Sequence, residues 1–533
     1  MNLPEQLKHM ADQCIACDLC VGECAFLQKY GNPKQIAESY DPEDRSHQSL
    51  PFECHLCGLC LAVCPKDLDP AGMFLSMRTK SIGELGKKRR FKRILAYEKR
   101  GTSRRYSYYT LPEGCQTVFF PGCALPGTRP EVTLKLIQYL QHRIPSLGIV
   151  LDCCTMPSHD LGYFDHFRQM FYEMTRYLIR NHVQHILTAC PNCFQIFKKY
   201  GRGLSVQMVH EVLNQHPPED LPSLSGTLVL HDPCPMRFED SAMQAVRDLM
   251  AKTGLHFTPM AHEKDRSVCC GEGGAVFLVS KPLSENWKKI RKAEAGESPV
   301  LTYCAGCTNN LGKTMATFHI LDLLFDPPSF MNKKPKVSRA PFTYWNRLSL
   351  KKRLRKTFLA KTTRERSFLD GILSFNNLLI VDPDRSFTVP LAEQLEKMGF
   401  SVFLASSGEE ALKRVYKNDP VDVVLLDTVL PDRTGMEVLG RIKAHKPFIQ
   451  GIVMTGKSSV SEAISAMKSG ASEYLVKPQG LEALLGHIQA AMDEKQDYEQ
   501  QMLAVQTGPF TTPRHLKTRM AEIKSAAAKQ RGA

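Results

Sequence analysis

Short apolar runs organise the middle of the chain. Between residues 117 and about 328, runs at 117–120, 185–189, 227–230 and 300–303 each stop within a few residues of a cysteine. Runs of this length predict strands, here with thiols at their tips. From residue 377 to about 493, strand-type and helix-type segments alternate five times, with strands predicted at 378–381, 401–404, 421–426, 451–454 and 473–476. That rhythm predicts a doubly wound parallel sheet with its site at the strand C-termini. Residues 1–80 form a small module built around two cysteine clusters, and 81–114, with Lys87, Lys88, Arg89, Arg90, Lys92 and Arg93, read as a basic linker. The remaining divisions are cysteine-rich segments at 115–220 and 221–330, a basic linker or docking helix at 331–372, the doubly wound domain at 373–495 and a tail at 496–533. The whole is a multidomain α/β protein.

The length of 533 residues agrees with several domains. No stretch reaches the ~18 consecutive apolar residues of a membrane span, and the first residues, with Glu5, Lys8 and Asp12, lack the apolar core of a signal peptide. A cytoplasmic location is expected. Nineteen cysteines in such a compartment point to metal binding and away from a disulfide framework. The formal charge of +14 suggests nucleic acid at first, but thirteen Lys and Arg fall between Lys333 and Arg366 against Glu365 alone. The excess is local, and no nucleic-acid-binding fold accompanies it.

Cys14, Cys17, Cys20 and Cys24 are separated by two, two and three residues, and Cys54, Cys57, Cys60 and Cys64 repeat that spacing before Pro65. This is the bacterial two-cluster ferredoxin run, in which the fourth cysteine of each motif serves the other cluster. The expected sets are Cys14, Cys17, Cys20 and Cys64 for one [4Fe–4S] cubane, and Cys54, Cys57, Cys60 and Cys24 for the second. Three thiolates from one tight loop cap three irons of a cube, and the fourth iron takes a ligand from elsewhere. Zinc sites more often take separated pairs.

A second pattern is duplicated. Cys123, Cys153-Cys154 and Cys190-Pro-Asn-Cys193 are matched by Cys234, Cys269-Cys270-Gly271 and Cys304-Ala-Gly-Cys307. Adjacent cysteines diverge in direction, which suits a cluster with splayed irons better than a cube. On these motifs, residues 1–330 resemble the CCG-domain iron–sulfur oxidoreductases, which include heterodisulfide reductases and the iron–sulfur subunits of glycolate, lactate and glycerol-3-phosphate dehydrogenases. The resemblance implies one or two further noncubane [4Fe–4S] clusters, with zinc in one set as an alternative. It also implies that disulfide chemistry centres on Cys234, Cys269, Cys270, Cys304 and Cys307. Thr155 stands where the second set has Gly271, so the backbone freedom of glycine is absent from the first set. Cys115 belongs to neither set. His159, His231 and His262 lie near the motifs as candidate proton donors and equally as ordinary polar residues.

The predicted strand ends after residue 377 carry Asp382, Asp427, Thr455 and Lys477, the last followed by Pro478. These positions resemble a response-regulator receiver, a flavodoxin-like (CheY-like) domain. The resemblance implies Asp427 as phosphoacceptor, Thr455 and Tyr474 as switch residues, Lys477 as phosphoryl partner, Mg²⁺ as cofactor and a histidine kinase as partner. Magnesium and lysine neutralise the charge that gathers on the phosphoryl oxygens. Receivers supply two adjacent acids for the metal, whereas here Pro383 separates Asp382 from Asp384.

The expected function is an iron–sulfur oxidoreductase. Electrons from a flavoprotein or ferredoxin-type partner pass through the cubanes to the CCG sets, with the receiver regulating output or docking. The alternatives are a noncatalytic electron-transfer subunit of a flavoprotein dehydrogenase and a redox-linked two-component signalling protein. Residues 331–366 add an expected docking segment for an acidic partner or the inner face of a membrane.

Overall fold

The computed structural model describes residues 3–85, 91–201, 203–327, 337–358, 362–366, 377–397, 400–417, 421–456, 459–477, 480, 481, 483–488, 490–492, 494, 495, 498, 521–523 and 525. They fall into two compact units, Met1–Gly371 and Ile372–Ala533. Lys87 to Arg90, Pro478 and nearly all of the expected tail lie outside the described residues.

In the first unit, short helices carry the two ferredoxin-type motifs around a core of Met10, Phe26, Leu27, Ile36, Phe74 and Met77. Strands β1 (Tyr108–Leu111), β2 (Thr117–Phe120), β3 (Gly148–Leu151), β4 (His185–Thr188) and β5 (Ser205–Met208) form most of one sheet, ordered β1-β3-β2-β4-β5. Strands β6 (Thr227–His231), β7 (His256–Thr258), β8 (Val300–Thr302) and β9 (Thr317–His319) form a second, ordered β7-β6-β8-β9. The parallel orders β3-β2-β4-β5 and β7-β6-β8-β9 are the same, so the repeated cysteine pattern is a repeated fold. Each predicted strand in this region is present, with ends shifted by no more than a residue or so.

Two expectations are corrected. Residues 81–114 are not a linker: the helix Pro70–Leu85 runs into them, the helix Lys92–Gly101 follows, and β1 pairs antiparallel with β3. Phe91, Glu98, Tyr106 and Tyr109 are buried among the cations. Nor are the described residues of 331–372 a linker. The helix Phe342–Thr357 buries Leu350 and Leu354, and β10 (Thr362–Arg364) adds an antiparallel edge to β1. The buried face of that helix runs Arg347, Leu350, Lys351, Leu354, so half of it consists of cations whose aliphatic stems pack inward. A hydrophobicity pattern does not register such a face. Four of the cations expected to dock on a partner pair internally: Lys351 and Arg355 with Glu365, Arg353 with Glu131, and Arg364 with Glu173.

The second unit has the doubly wound order predicted for it. Strands β11 (Asn377–Val381), β12 (Ser401–Ala405), β13 (Val423–Asp427), β14 (Gln450–Thr455) and β15 (Glu473–Val476) lie in the parallel order β12-β11-β13-β14-β15. Val381, Val424, Leu426 and Val453 face one apolar layer, and Leu378, Ile380, Leu425 and Ile452 the other. Among the described residues no helix is long and apolar enough to cross a membrane.

Candidate iron–sulfur centres and receiver pocket

The two ferredoxin-type loops share an unusual backbone. Ala16 and Leu56, two residues past the first cysteine of each motif, have φ of 50° and 53°, and Asp18 and Gly58 have φ of 58° and 71°. These left-handed residues curl each loop so that three thiols face inward. Backbone N–H groups turn inward as well: Leu56 donates to Cys54 Sγ at 3.4 Å and Leu68 to Cys64 Sγ at 3.4 Å. Burial, then Cys14, Cys64 and Cys17, pushes the Cys20 thiol up to about 12. Burial, then Cys54 and Cys57, with Cys24 also contributing, raises Cys60. Cys64 therefore sits among the first motif's thiols and Cys24 among the second's.

In the cysteine-rich repeats the thiols gather at the C-terminal ends of parallel strands. Cys123 follows β2, Cys153 and Cys154 follow β3, and Cys190 and Cys193 open the helix Pro191–Tyr200 after β4. Cys123 is hydrogen-bonded to Cys153, and Cys193 to both Cys154 and Cys190. In the second repeat Cys234 bonds Cys269, Cys269 bonds Cys270, and Cys307 bonds Cys270 and Cys304. Gly271 N–H donates to Cys269 Sγ at 3.3 Å. A single cavity of about 1910 Å³ is lined by thiols of both repeats and by Cys57.

The thiol sets also stand in a row. Cys24 and Cys57 are close enough to Cys269 for their charges to interact, Cys234 likewise to Cys57, and Cys190 to Cys304. The order is first ferredoxin-type set, second ferredoxin-type set, second repeat, first repeat. Sequence order would reverse the last two.

Among the described residues no three His, Cys, Asp or Glu converge as a single metal ion needs. Thiol-only donors arranged around a space suit a multi-iron cluster better than one tetrahedral zinc, whose ligands must meet about 2.3 Å from a common point.

The backbone resolves the difference at Thr155. This residue adopts φ 57°, ψ 23°, the same left-handed region that Gly271 occupies at φ 91°. Its buried hydroxyl donates to Cys154 O at 2.8 Å. The first set thus has the turn without the glycine. Gly271 is less replaceable, since a Cβ there would stand 2.4 Å from Ser284 O. Gly271→Ala should therefore cost about 1–3 kcal/mol and lower the iron content of the second repeat. Thr155→Gly should stay within ~1 kcal/mol of wild type. Iron counts and urea midpoints of the two variants check this asymmetry, and equal losses in both would contradict it.

Of the three histidines noted from sequence, His159 bonds Asp160 and Tyr200, each at 2.9 Å, and His262 lies between Glu23, at 3.0 Å, and Glu294. His231 is fully buried, neither ring nitrogen has a hydrogen-bond partner among the described residues, and burial holds it neutral. Cys115 is buried away from both sets, with its Sγ 3.4 Å from Thr117 O. His55, Tyr97, Arg237, Glu272 and Arg347 also line the large cavity, and none of them is singled out by the sequence motifs. His55 was within reach, lying inside the second four-cysteine motif. Nothing local marks Arg347.

In the second unit, Asp382, Asp427, Thr455 and Lys477 meet at the strand C-termini. Lys477 Nζ bonds Asp382 and lies 2.5 Å from Asp427 Oδ2. Burial works against the ammonium, but these two hydrogen bonds hold it above the ordinary lysine range. Asp427 Oδ1 accepts the Val429 N–H at 3.2 Å, and Thr428 Oγ1 links it to Thr455 Oγ1, each step 3.3 Å. The Tyr474 hydroxyl donates to Glu462 at 3.2 Å. Asp384 points elsewhere: its exposed carboxylate accepts the Ser386 N–H at 2.9 Å and hydroxyl at 2.6 Å, capping the helix Arg385–Lys397. Pro383 thus leaves Asp382 as the acid at the end of β11.

Three family models match in four places: a 4Fe-4S dicluster domain at 13–69, a cysteine-rich domain at both 117–198 and 228–312, and a response regulator receiver domain at 378–489. The response regulator MprA of Mycobacterium sp. (strain KMS) is 37% identical over 115 residues, 22% of this chain and 50% of that protein. A fumarate reductase (CoM/CoB) subunit from Methanothermobacter marburgensis is 25% identical over 332 residues, 55% of this chain and 66% of that protein. The chain thus spans about half the length of the first of these relatives and just under two thirds of the second. A CheY-like receiver domain protein from Methanospirillum hungatei JF-1 aligns at 30% identity and a TM-score of 0.22, covering 23% of this chain and 97% of that one. The chain accordingly carries a 4Fe-4S dicluster domain, a duplicated cysteine-rich CCG domain and a response regulator receiver domain in one polypeptide.

Proposed function

We propose that this protein is a heterodisulfide-reductase-like iron–sulfur oxidoreductase whose output or docking is regulated by its receiver. The observation that carries the reading is the row of thiol sets, in which Cys24 and Cys57 adjoin Cys269 and Cys190 adjoins Cys304. Bound clusters supply one-electron carriers, so a row of them conducts from a reduced partner to the shared cavity. Cys14, Cys17, Cys20 and Cys64 hold one cubane, and Cys54, Cys57, Cys60 and Cys24 hold its neighbour. The five-cysteine sets hold the remaining clusters, beside a shared space large enough for a disulfide. Cleaving that disulfide takes two electrons and two protons and releases two thiols. The inward-facing N–H groups of Leu56, Leu68 and Gly271 stabilise negative charge on sulfur as electrons arrive. Neutral His55 and His231 beside Cys269 add little charge of their own. In the receiver, Lys477 pairs with Asp382 and Asp427 and would pair with the phosphoryl group once Asp427 carried it, while Asp382 would hold Mg²⁺, whose charge would be offset by the phosphoryl oxygens.

An anaerobic EPR redox titration with iron and sulfide counts tests the reading. Wild type should show a signal separate from the cubanes on oxidation with thiol. Cys269→Ser and Cys153→Ser should each lose part of it, together with one cluster's worth of iron. Cubane signals alone, unchanged in both variants, would make the chain an electron relay serving a flavoprotein dehydrogenase.

A further inference from the structure

The helix Phe342–Thr357 follows the second cysteine-rich repeat in sequence, yet it packs on the first. Asn346 Nδ2 donates to Gly127 O at 2.8 Å, and Lys351 Nζ reaches the carbonyls of Arg104 at 2.7 Å and Arg105 at 3.1 Å. Gly127 permits the approach, since a Cβ there would stand 3.2 Å from Thr343 O. This docking carries Arg347 inward until it is only 5% exposed, with its guanidinium 5.2 Å from the Tyr106 ring centroid. A Cβ on Gly101 would lie 3.6 Å from Arg347 Nη2 and 3.9 Å from Cys153 Sγ, so nitrogen and sulfur both border one small gap. The charge of Arg347 acts on Cys123 and on Tyr97, which itself hydrogen-bonds Cys123.

Arg347 Nη1 is buried with no hydrogen-bond partner among the described residues. A buried guanidinium needs an anion to offset its desolvation, and the nearby carboxylates are engaged elsewhere. Glu98 accepts the Ser158 N–H at 2.8 Å and lies 3.2 Å from His166 Nε2, while Asp152 is bonded to Arg366 and Tyr109. The buried arginine near the second set differs: Arg291 is paired with Glu294 at 2.9 Å. Arg237 donates to the carbonyls of Cys57 and Ser267.

We propose that Arg347 is the fixed counter-charge of the first cysteine-rich set. Its guanidinium offsets the negative charge that Cys123, Cys153, Cys154, Cys190 and Cys193 gather around a cluster, and so raises that set's reduction potential. The inference rests on the reading that this set holds a cluster. A cation in a low-dielectric site favours the more negative, reduced form. The last set in the row is thereby made an electron-accepting end, and a helix from outside the repeats sets its potential. Arg347 is a positioning and tuning residue, since its effect is exerted through sulfur.

The test is a potentiometric EPR titration of the full chain, with iron counts, on wild type, Arg347→Gln and Arg347→Lys; Cys153→Ser identifies the first set's signal. In Arg347→Gln the reduction equilibrium of that signal should fall at least tenfold, about 59 mV for one electron, while the cubane signals stay in place. Arg347→Lys keeps the charge and should recover most of the shift. Loss of the first set's iron in the Gln variant but not the Lys variant would support the charge role equally. An unmoved midpoint in the Gln variant overturns the inference and leaves the cluster reading standing, and so do equal losses in both variants, which would mark a packing role. If no signal and no iron depend on Cys153, the cluster reading of this set fails and the inference falls with it.

Discussion

Arg366→Ala should remove about 3–5 kcal/mol of stability from the N-terminal unit. Arg366 is fully buried; its Nη1 bonds Asp152 Oδ2 at 2.7 Å, and its Nε lies 2.8 Å from Glu173 Oε2, close enough to pair though off the line of a hydrogen bond. Its backbone is held too, exchanging hydrogen bonds of 2.9 Å with the Ser107 hydroxyl. Truncation takes the guanidinium from two buried carboxylates, leaving Asp152 with only neutral donors, the Tyr109 hydroxyl and the Cys153 N–H, and Glu173 with Arg364, and an under-compensated buried charge costs more than the intact pair contributes. The effect should also reach the first cysteine-rich set, because Asp152 Oδ1 accepts the Cys153 N–H at 2.7 Å. The chain's two tryptophans, Trp287 and Trp345, both lie in the N-terminal unit. Their fluorescence therefore follows that unit's unfolding in urea. A midpoint within experimental scatter of wild type would mean that Tyr109, the Cys153 N–H and Arg364 suffice for Asp152 and Glu173.

Asp427→Asn should abolish phosphorylation of the receiver by a small acyl phosphate with Mg²⁺, a drop of about a hundredfold or more. Asp427, which meets Lys477 at the end of β13, is the proposed phosphoacceptor. Asp382 is the remaining acid in the pocket, and Asp384 is committed to Ser386. Label from the phosphate donor should appear in wild type and vanish in the variant. Label that persists would move the acceptor to another residue. No uptake in wild type, with or without Mg²⁺, would make the receiver a docking module.

Much of this molecule was legible because its chemistry is written in spacing. Three cysteines within seven residues, with a fourth four residues on, fit one tight loop and a ligand for its neighbour, so the two ferredoxin-type motifs declared themselves. The receiver's residues are recognisable because parallel strands of fixed length deliver side chains to one edge. The doubled five-cysteine pattern likewise foretold two copies of one strand order. Thr155 was less transparent, since residue type implied a conformational difference that the left-handed backbone does not show.

The sequence by itself determined which residues are the candidates for the chemistry and which strands lead to those of the repeats and the receiver, since ligand spacing and hydrophobic period are local properties. Only the tertiary structure decided which set neighbours which. The cysteines Cys24 and Cys57 neighbour Cys269 of the second repeat, because through-space packing is independent of chain order. It also decided that the basic segment is a wall of the first repeat. Arg347, Lys351 and Arg366 each have a partner more than two hundred residues away, Tyr106 for Arg347, Arg104 for Lys351 and Asp152 for Arg366. A cation's sequence neighbourhood shows only that it is charged; its burial and its counter-charge exist once distant segments close around it.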